Sequence, residues 1–378
     1  MMTLIFISIG IISYSLFIIC MLLGWFRNVQ YYESVPAPAI YPSVTVIVAL
    51  RNEERRVDTL LQCLVTQNYP NHLLKIICID DNSTDNTVAK LDTWVHRYDF
   101  VHRAEPSARW SHYKGKKRLL QSAIDQVTTE WVVTTDADCE MGPDWLTSLL
   151  KTYKLKEVIS GPVAFTSNGT IFQQAQQLEF SSLVGVGLSC IGLKKPLMCN
   201  GANLAFSKTA FDAVNGYEGN EMIASGDDEF LMHKIQHQFP GKVGAALSEN
   251  SIVRTAPNET WKQFYHQRKR WAGKWGKYQL TYVNLLALWV FVYQLMLLCS
   301  IPLYVLGWWS SELVFSLWMV RVFWDFFYLQ IVSGFLSIKF NIVIFIGIVV
   351  LYPWYAVWFG LVARQGGYQW KGRNIHNE

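Results

Sequence analysis

Four clusters in this 378-residue chain carry side chains that could do chemistry. Asp136-Ala137-Asp138 places two carboxylates at i and i+2. If the chain turns there, both point to one side and can share a hard divalent cation, Mg2+ or Mn2+, which keeps oxygen ligands and binds phosphate groups. The plainer reading is a solvated turn in which an aspartate caps a helix expected over 143–150. Asp80-Asp81 divides the same way, between a helix cap and a carboxylate that accepts from a nucleobase. Gly226-Asp227-Asp228-Glu229 crowds three acids onto a glycine turn. Crowded carboxylates repel and one pKa rises, which suits a general base; the alternative is a solvated acidic loop ahead of a helix over 230–236. Gln267-Arg268-Lys269-Arg270-Trp271 is a basic run beside hydrophobic sequence. It reads as a lipid-headgroup or positive-inside signal. More sharply, Arg270 would clamp a diphosphate with its planar fork and Trp271 would give a stacking wall.

These groups need elements to aim them. Residues 44–50 form a short apolar, β-branched run, as in a buried parallel strand. Val57, Leu60, Leu61 and Leu64 predict a helix that Pro70 closes off. Further strands are predicted over 75–80 and 131–136. Between them lie a helix capped by Asn82 or Ser83, with Val88, Leu91 and Val95 on its apolar face, and another over 115–127. Strand–helix alternation at this spacing predicts an α/β domain with a right-handed parallel sheet. Ligands of such sheets gather at the carboxyl ends of the strands, and Asp80-Asp81 and Asp136-x-Asp138 both stand there.

Composition places this domain between apolar ends. The chain is 51% hydrophobic and only 16% charged, against about 25% charged in soluble proteins. Residues 1–26 carry no charge and 283–378 carry eight charged side chains. The stretches 4–26, 283–309 and 340–363 are uncharged and each long enough to cross about 30 Å of hydrocarbon. Residues 313–338 are apolar but include Arg321 and Asp325, one helical turn apart and able to pair. This pattern excludes an ordinary cytosolic enzyme, a disordered protein and a disulfide-stapled module. The net charge of +4 gives no reason to expect nucleic acid. Seven scattered cysteines without a CxxC pair argue against a zinc site or disulfide framework and for a reducing compartment.

The expected organisation is an uncleaved N-terminal anchor over 1–27, a soluble domain over 28–282, apolar helices over 283–364 and a polar tail over 365–378. Four crossings would leave Arg364, Lys371 and Arg373 on the outer side, against the usual preference of basic residues. Either one C-terminal segment is re-entrant or interfacial, or the tail departs from that preference.

In order and spacing these elements resemble the family 2 glycosyltransferases, in particular the membrane-embedded branch that includes cellulose, chitin, hyaluronan and poly-N-acetylglucosamine synthases and ceramide glucosyltransferases. The likeness covers about residues 42–275. It is carried by ALRNEE (49–54), IDDNSTD (79–85), GKKRLLQSA (115–123), TTDAD (134–138), GANLAFSKTAFDAVNGY (201–217), GDDEFLMHKIQ (226–236) and QRKRW (267–271), the last fitting QxxRW. It implies a GT-A-type, Rossmann-like domain on the cytosolic face of the inner (plasma) membrane, with one N-terminal and about three C-terminal transmembrane helices. The implied reaction moves a sugar, with inversion, from a nucleotide donor to a growing glycan or a membrane lipid.

Carried onto this sequence, the resemblance implies Ala49, Arg51 and Glu53 in the first nucleotide-binding loop, Asp81 at the uracil of a UDP donor, and Lys116 near the donor phosphates. Asp136 and Asp138 would hold Mg2+ or Mn2+ with the diphosphate, Asp138 most directly. Asp228 would be the general base, with Gly201 and Asp227 on the acceptor side. Gln267, Arg270 and Trp271 would cap donor and acceptor. Ala49, Leu119, Gln121 and Phe230 depart from the usual residues, which bears on subfamily rather than on reaction class. A processive synthase and a single-transfer lipid glycosyltransferase both fit, since QxxRW occurs in each. Two other classes stay open: a non-catalytic scaffold or receptor on the same fold, and a metal-dependent nucleotidyltransferase. An oligomer or an accessory subunit is compatible with the sequence.

Overall fold

A computed structural model describes residues 2–167, 169–223, 225–274 and 281–362, together with the backbone of 368–370 and 373–375. Arg364, Lys371 and the Arg373 side chain, the basic set of the expected tail, lie outside the described residues. The chain opens with α1 (Met2–Ser34), which exposes Leu4, Ile9, Leu16, Leu23 and Phe26 as an apolar face. Alternation then follows as β1 (Val44–Leu50), α2 (Val57–Val65), β2 (Leu74–Asp80), α3 (Thr87–Arg97), β3 (Val101–Ala104), α4 (Lys116–Ile124) and β4 (Trp131–Asp136). Next come β5 (Cys139–Met141), α5 (Trp145–Leu149), β6 (Val158–Ser160), β7 (Val163–Phe165), α6 (Ile171–Gly192), β8 (Leu204–Ser207) and α7 (Lys208–Ala213). The α/β part ends with α8 (Asp227–Gln238), β9 (Val243–Ala245) and β10 (Val253–Thr255). A helix α9 (Trp261–Ala272) leads to α10 (Thr281–Val305), α11 (Ser311–Phe335) and α12 (Ile342–Val362), all long and apolar enough to cross a membrane, as is α1.

The main sheet runs β3-β2-β1-β4-β8-β6-β9. Pairings are parallel from β3 through β4, but β8 lies antiparallel to both β4 and β6. The expected all-parallel sheet is therefore mixed. Between β6 and β8 the chain leaves the main sheet through β7, which pairs with β10 in a separate three-stranded sheet (β5-β10-β7), and then α6, and it returns as β8 antiparallel to β6. The parallel half does what the site requires. Register sets Ala49 beside both Ile79 and Asp136, and Leu50 beside Asp80, so the carboxyl ends of β1, β2 and β4 stand level.

The turn after β2 differs from expectation. Neither Asn82 nor Ser83 caps α3, and neither Asp80 nor Asp81 does. Asp80 accepts from the Ser83 N–H at 2.9 Å and the Ser83 hydroxyl at 2.5 Å, holding a turn in which Asn82 is left-handed (φ 55°). Asp85 takes the Thr87 N–H at 3.0 Å.

α6 was not predicted, and it joins the two halves of the molecule. It crosses α1 at glycines: a Cβ on Gly24 would meet the Ser189 carbonyl at 2.1 Å, and one on Gly192 would meet the Gly24 carbonyl at 2.0 Å. Only glycine allows this approach. Glu179 is the sole charged residue of α6, and it is buried. It receives both prongs of the Arg268 guanidinium from α9 and the Tyr355 hydroxyl, at 3.0 Å, from α12. Arg268 is 2% exposed and lies between the Phe264 and Trp271 rings, 4.6 and 4.3 Å from their centroids. α12 also meets α6 at its start, where Asn341 donates to Gln174 at 3.4 Å, and α9 near its end, where Phe359 packs on Tyr265. The backbone of 368–370 returns beside α9.

Removing one partner of a buried ion pair strands the other. Glu179→Gln is expected to destabilise the protein by about 3–5 kcal/mol, read as a lower melting temperature in detergent. Leu178→Ala, which removes an adjacent apolar side chain and no charge, provides the comparison.

Candidate active site

One cavity of about 640 Å3 opens where the carboxyl ends of β1 and β4 face α8 and α9. It is lined by Ala49, Arg51, Glu53, Lys116, Asp136, Asp138, Gly201, Asp227, Asp228, Gln267, Arg270 and Trp271. Of the residues expected to form a site, only Asp81 is outside this lining. It lies behind the wall, 2% exposed, with one carboxylate oxygen 2.7 Å from Arg118 Nη2 and the other 3.3 Å from Arg51 Nη1. Arg51 also donates to the Asp81 carbonyl at 2.8 Å.

The first loop is held to the second by reciprocal hydrogen bonds. The Asn52 N–H donates to Ser83 Oγ at 2.9 Å, the Thr84 N–H to Asn52 Oδ1 at 2.8 Å and the Glu53 N–H to Thr87 Oγ1 at 2.7 Å. The two loops therefore act as one rim. Arg56 sits on it, its guanidinium 4.0 Å from Asp138 and 3.6 Å from Glu53.

Asp136 and Asp138 leave β4 on a turn into β5, with no helix next to them to cap. Lys116, at the start of α4, donates to Asp136. Burial alone would lower the Lys116 ammonium, but Asp136 and then Asp227 and Asp228 outweigh it and hold the group above its ordinary value. Burial and the charge of Asp136 push the Asp138 carboxyl up. The two acids thus repel in a partly enclosed site, and a divalent cation would relieve that repulsion. Among the described residues no set of three or more His, Cys, Asp or Glu could hold a metal. A cation here would complete its shell with water and substrate oxygens, the usual habit of Mg2+.

The acidic turn is the first turn of α8 rather than a loop before it. Gly226 is left-handed (φ 76°), and a Cβ there would meet the Phe230 ring at 2.8 Å, so the turn requires glycine. The helix N-terminus favours the three carboxylates that follow. Asp228 Oδ2 accepts from the Gly201 N–H and Oδ1 from its neighbour Glu229 N–H, both at 2.8 Å. Burial and then the charge of Asp228 raise the Asp227 carboxyl. Glu229 is paired with Lys274 at 2.7 Å.

Some supporting residues escaped the sequence. Lys117 is fully buried and donates to the carbonyls of Asn220, Ile223 and Ser225 at 2.8, 2.7 and 3.3 Å, tying α4 to the segment before Gly226. Burial lowers its ammonium to about 8. Gln267 accepts from Asn258 at 2.8 Å and from Arg268, so it orients α9 as well as lining the cavity. Arg118 and Glu179 complete the group. Glu179 had one available signal, a lone acid in an apolar helix that must find a partner.

A carboxyl raised in the fold lowers stability wherever it is ionised in the unfolded chain. Asp227→Asn is therefore expected to raise the melting temperature at pH 7 while lowering turnover. The gain should vanish below about pH 4, where aspartate is protonated in both folded and unfolded states. Melting curves of both proteins across pH check this.

Residues 45–214 match the family described as glycosyl transferase family 2, and 131–361 the glycosyl transferase family group 2. The beta-monoglucosyldiacylglycerol synthase of Synechocystis sp. is 29% identical over 250 residues, 63% of this chain and 48% of that protein. The poly-beta-1,6-N-acetyl-D-glucosamine synthase of Staphylococcus epidermidis is 24% identical over 237 residues, 61% of this chain and 53% of that protein. The chain thus spans about half the length of these curated relatives. Among solved structures, the mannosyltransferase PcManGT from Pyrobaculum calidifontis, in complex with GDP-Man and Mn2+, matches with a TM-score of 0.51 at 17% identity. That match covers 94% of this chain and 97% of the other, and at such identity it speaks to the fold. The sheet, the apolar helices and both family matches converge: this chain belongs to the family 2 glycosyltransferases.

Proposed function

We propose that the chain transfers a sugar from a nucleotide donor, UDP in our reading, to a growing glycan or a membrane lipid by a single inverting displacement. The observation that carries this reading is that one cavity is lined by the β4 acids, Lys116, the α8 acids and the α9 residues Gln267, Arg270 and Trp271. Asp228 accepts a proton from the acceptor hydroxyl, held in place by the Gly201 and Glu229 N–H groups. The freed oxygen bonds to the anomeric carbon from the face opposite the diphosphate. The sugar–phosphate bond breaks, and its electron pair leaves with the nucleoside diphosphate.

Asp136 and Asp138 would hold Mg2+ or Mn2+, which when bound supplies positive charge to the departing diphosphate. Lys116 and Arg270 face the same space and add their own. Arg270 has no carboxylate partner among the described residues, which leaves its fork for phosphate oxygens. Trp271, fixed by Arg268 on its face, gives the sugar a wall. A base reaches Asp81 only by displacing Arg51 or Arg118, so these arginines set the entry to a uracil pocket. Seven free cysteines suit a catalytic part facing the cytosol from the inner membrane.

The test is nucleoside diphosphate release by the full chain in native membranes with Mn2+ or Mg2+ and a panel of nucleotide sugars. Asp228→Asn is expected to cut release by at least about 100-fold, and the product to carry the anomeric configuration opposite to the donor's. Release by Asp228→Asn at the wild-type rate would sink the assignment.

A further inference from the structure

The apolar helices meet the α/β part at one level, and basic side chains collect there. α1 carries no charged residue before Arg27. Two residues earlier, Trp25 meets Phe335 at the end of α11, with ring centroids 5.3 Å apart. α6 ends at the same height, where Gly192 crosses Gly24. Near the start of α10, Tyr282 donates to the Pro196 carbonyl at 2.7 Å, and the Lys195 ammonium lies 5.5 Å from its ring centroid. The ends of α1, α6 and α11 and the start of α10 thus mark one boundary between apolar and polar surface.

Just past this boundary the surface is basic. Lys194 follows α6 and is exposed, as are Arg27, Lys195 and Lys242, the residue before β9. Lys156, ahead of β6, sits among them. Its ammonium lies 4.8 Å from the Tyr31 ring centroid and donates to the Gly241 carbonyl at 3.0 Å. Burial, and then the charges of Lys194 and Lys242, hold that ammonium below its ordinary value. None of Arg27, Lys156, Lys194, Lys195 and Lys242 has a carboxylate partner among the described residues. Like charges gathered this way repel, and an anion among them removes the repulsion.

Their height names the anion. From Gly24 to Tyr31 α1 advances about 10 Å, on the order of the 5–8 Å headgroup layer on one side of a bilayer. The lysines therefore lie at the depth of lipid phosphates. Leu23 and Phe26, within about one turn of Arg27, are exposed on α1 and offer acyl chains an apolar strip. A soluble phosphate or an acidic protein would use the charges and leave this strip bare.

We propose that Lys156, Lys194 and Lys242 form a binding site for the phosphate of an anionic glycerophospholipid whose acyl chains lie along α1. This lipid is not the acceptor, because none of the three lysines lines the cavity that holds Asp228. Bound there, the phosphate ties the end of α6 to the edge of the main sheet.

Lys194→Asn combined with Lys242→Gln tests it. Both side chains are exposed, and asparagine tolerates the left-handed backbone of Lys194 (φ 60°), so the variant is expected to fold. In dodecyl maltoside, dioctanoyl phosphatidylglycerol should raise the melting temperature of the full chain, and dioctanoyl phosphatidylcholine should not. The apparent Kd for phosphatidylglycerol read from that shift should rise about 5-fold per lysine removed and about 25-fold in the double variant. Arg103→Gln, on β3 at the opposite edge of the main sheet from β9, should change it less than about 2-fold. A photoactivatable phosphatidylglycerol in phosphatidylcholine nanodiscs should label the end of α1 in the wild type and less in the double variant. Equal binding of the two lipids overturns the proposal, as does wild-type affinity in the double variant. Glycerol 3-phosphate competing as tightly as the lipid overturns it too, since the site would then take a soluble anion. These readouts need no turnover, so they stand apart from the transferase reading.

Discussion

The buried pair between Arg268 and Glu179 is the joint on which the shared cavity depends. Burying either charge alone is costly, and attraction in a low-dielectric interior repays the cost only when the geometry is good. Here the guanidinium reaches both carboxylate oxygens, Tyr355 adds a third hydrogen bond, and two aromatic rings cover the cation. Three helices from different regions of the chain are fixed by one contact. The α9 residues Gln267, Arg270 and Trp271 are thereby set over the acids. Tyr352, one turn from Tyr355 on α12, packs 5.8 Å from Arg321. Together with the Gly24–Gly192 crossing of α1 and α6, the joint fixes the catalytic end of the cavity relative to the apolar helices.

The acidic end is a balance rather than a rigid arrangement. Asp136 and Asp138 repel each other, as do Asp227 and Asp228, and Lys116 is placed between the two groups and held by both. A diphosphate with its cation would bring both signs of charge into this space. It would take over the contact that Lys116 now makes with Asp136 and free that ammonium for phosphate oxygens. Crowded, raised carboxyls of this kind cluster at functional sites, and incoming cationic charge would relieve their repulsion.

Much of this was legible in the sequence because the parallel half of the sheet is local chemistry. Short apolar, β-branched runs gave β1, β2 and β4, the last two ending in acids, while the register that sets Ala49 beside Asp136 and Leu50 beside Asp80 belongs to the folded sheet. The QRKRW run was legible as a basic stretch beside hydrophobic sequence, but not as the end of a helix, α9. What escaped depends on tertiary packing. β8 runs antiparallel to β4 and β6, and no periodicity in residues 204–207 encodes that. α6 mixes glutamines, serines and glycines with apolar residues, and its meaning lies in the Gly24–Gly192 crossing, which pairs positions far apart in sequence. The Arg118 clamp on Asp81 depends on which way α4 rolls. Arg321 and Asp325 were visible as a pair, but that they share a cavity with Asp228 was not.

The most direct measurement is a structure of the full chain solved with UDP and Mn2+. The diphosphate is expected between Asp136, Asp138, Lys116 and Arg270, with the Lys116–Asp136 contact broken and the uracil beside Asp81. A nucleotide bound outside this cavity, with Lys116 still on Asp136, would contradict the assignment of these residues to the donor.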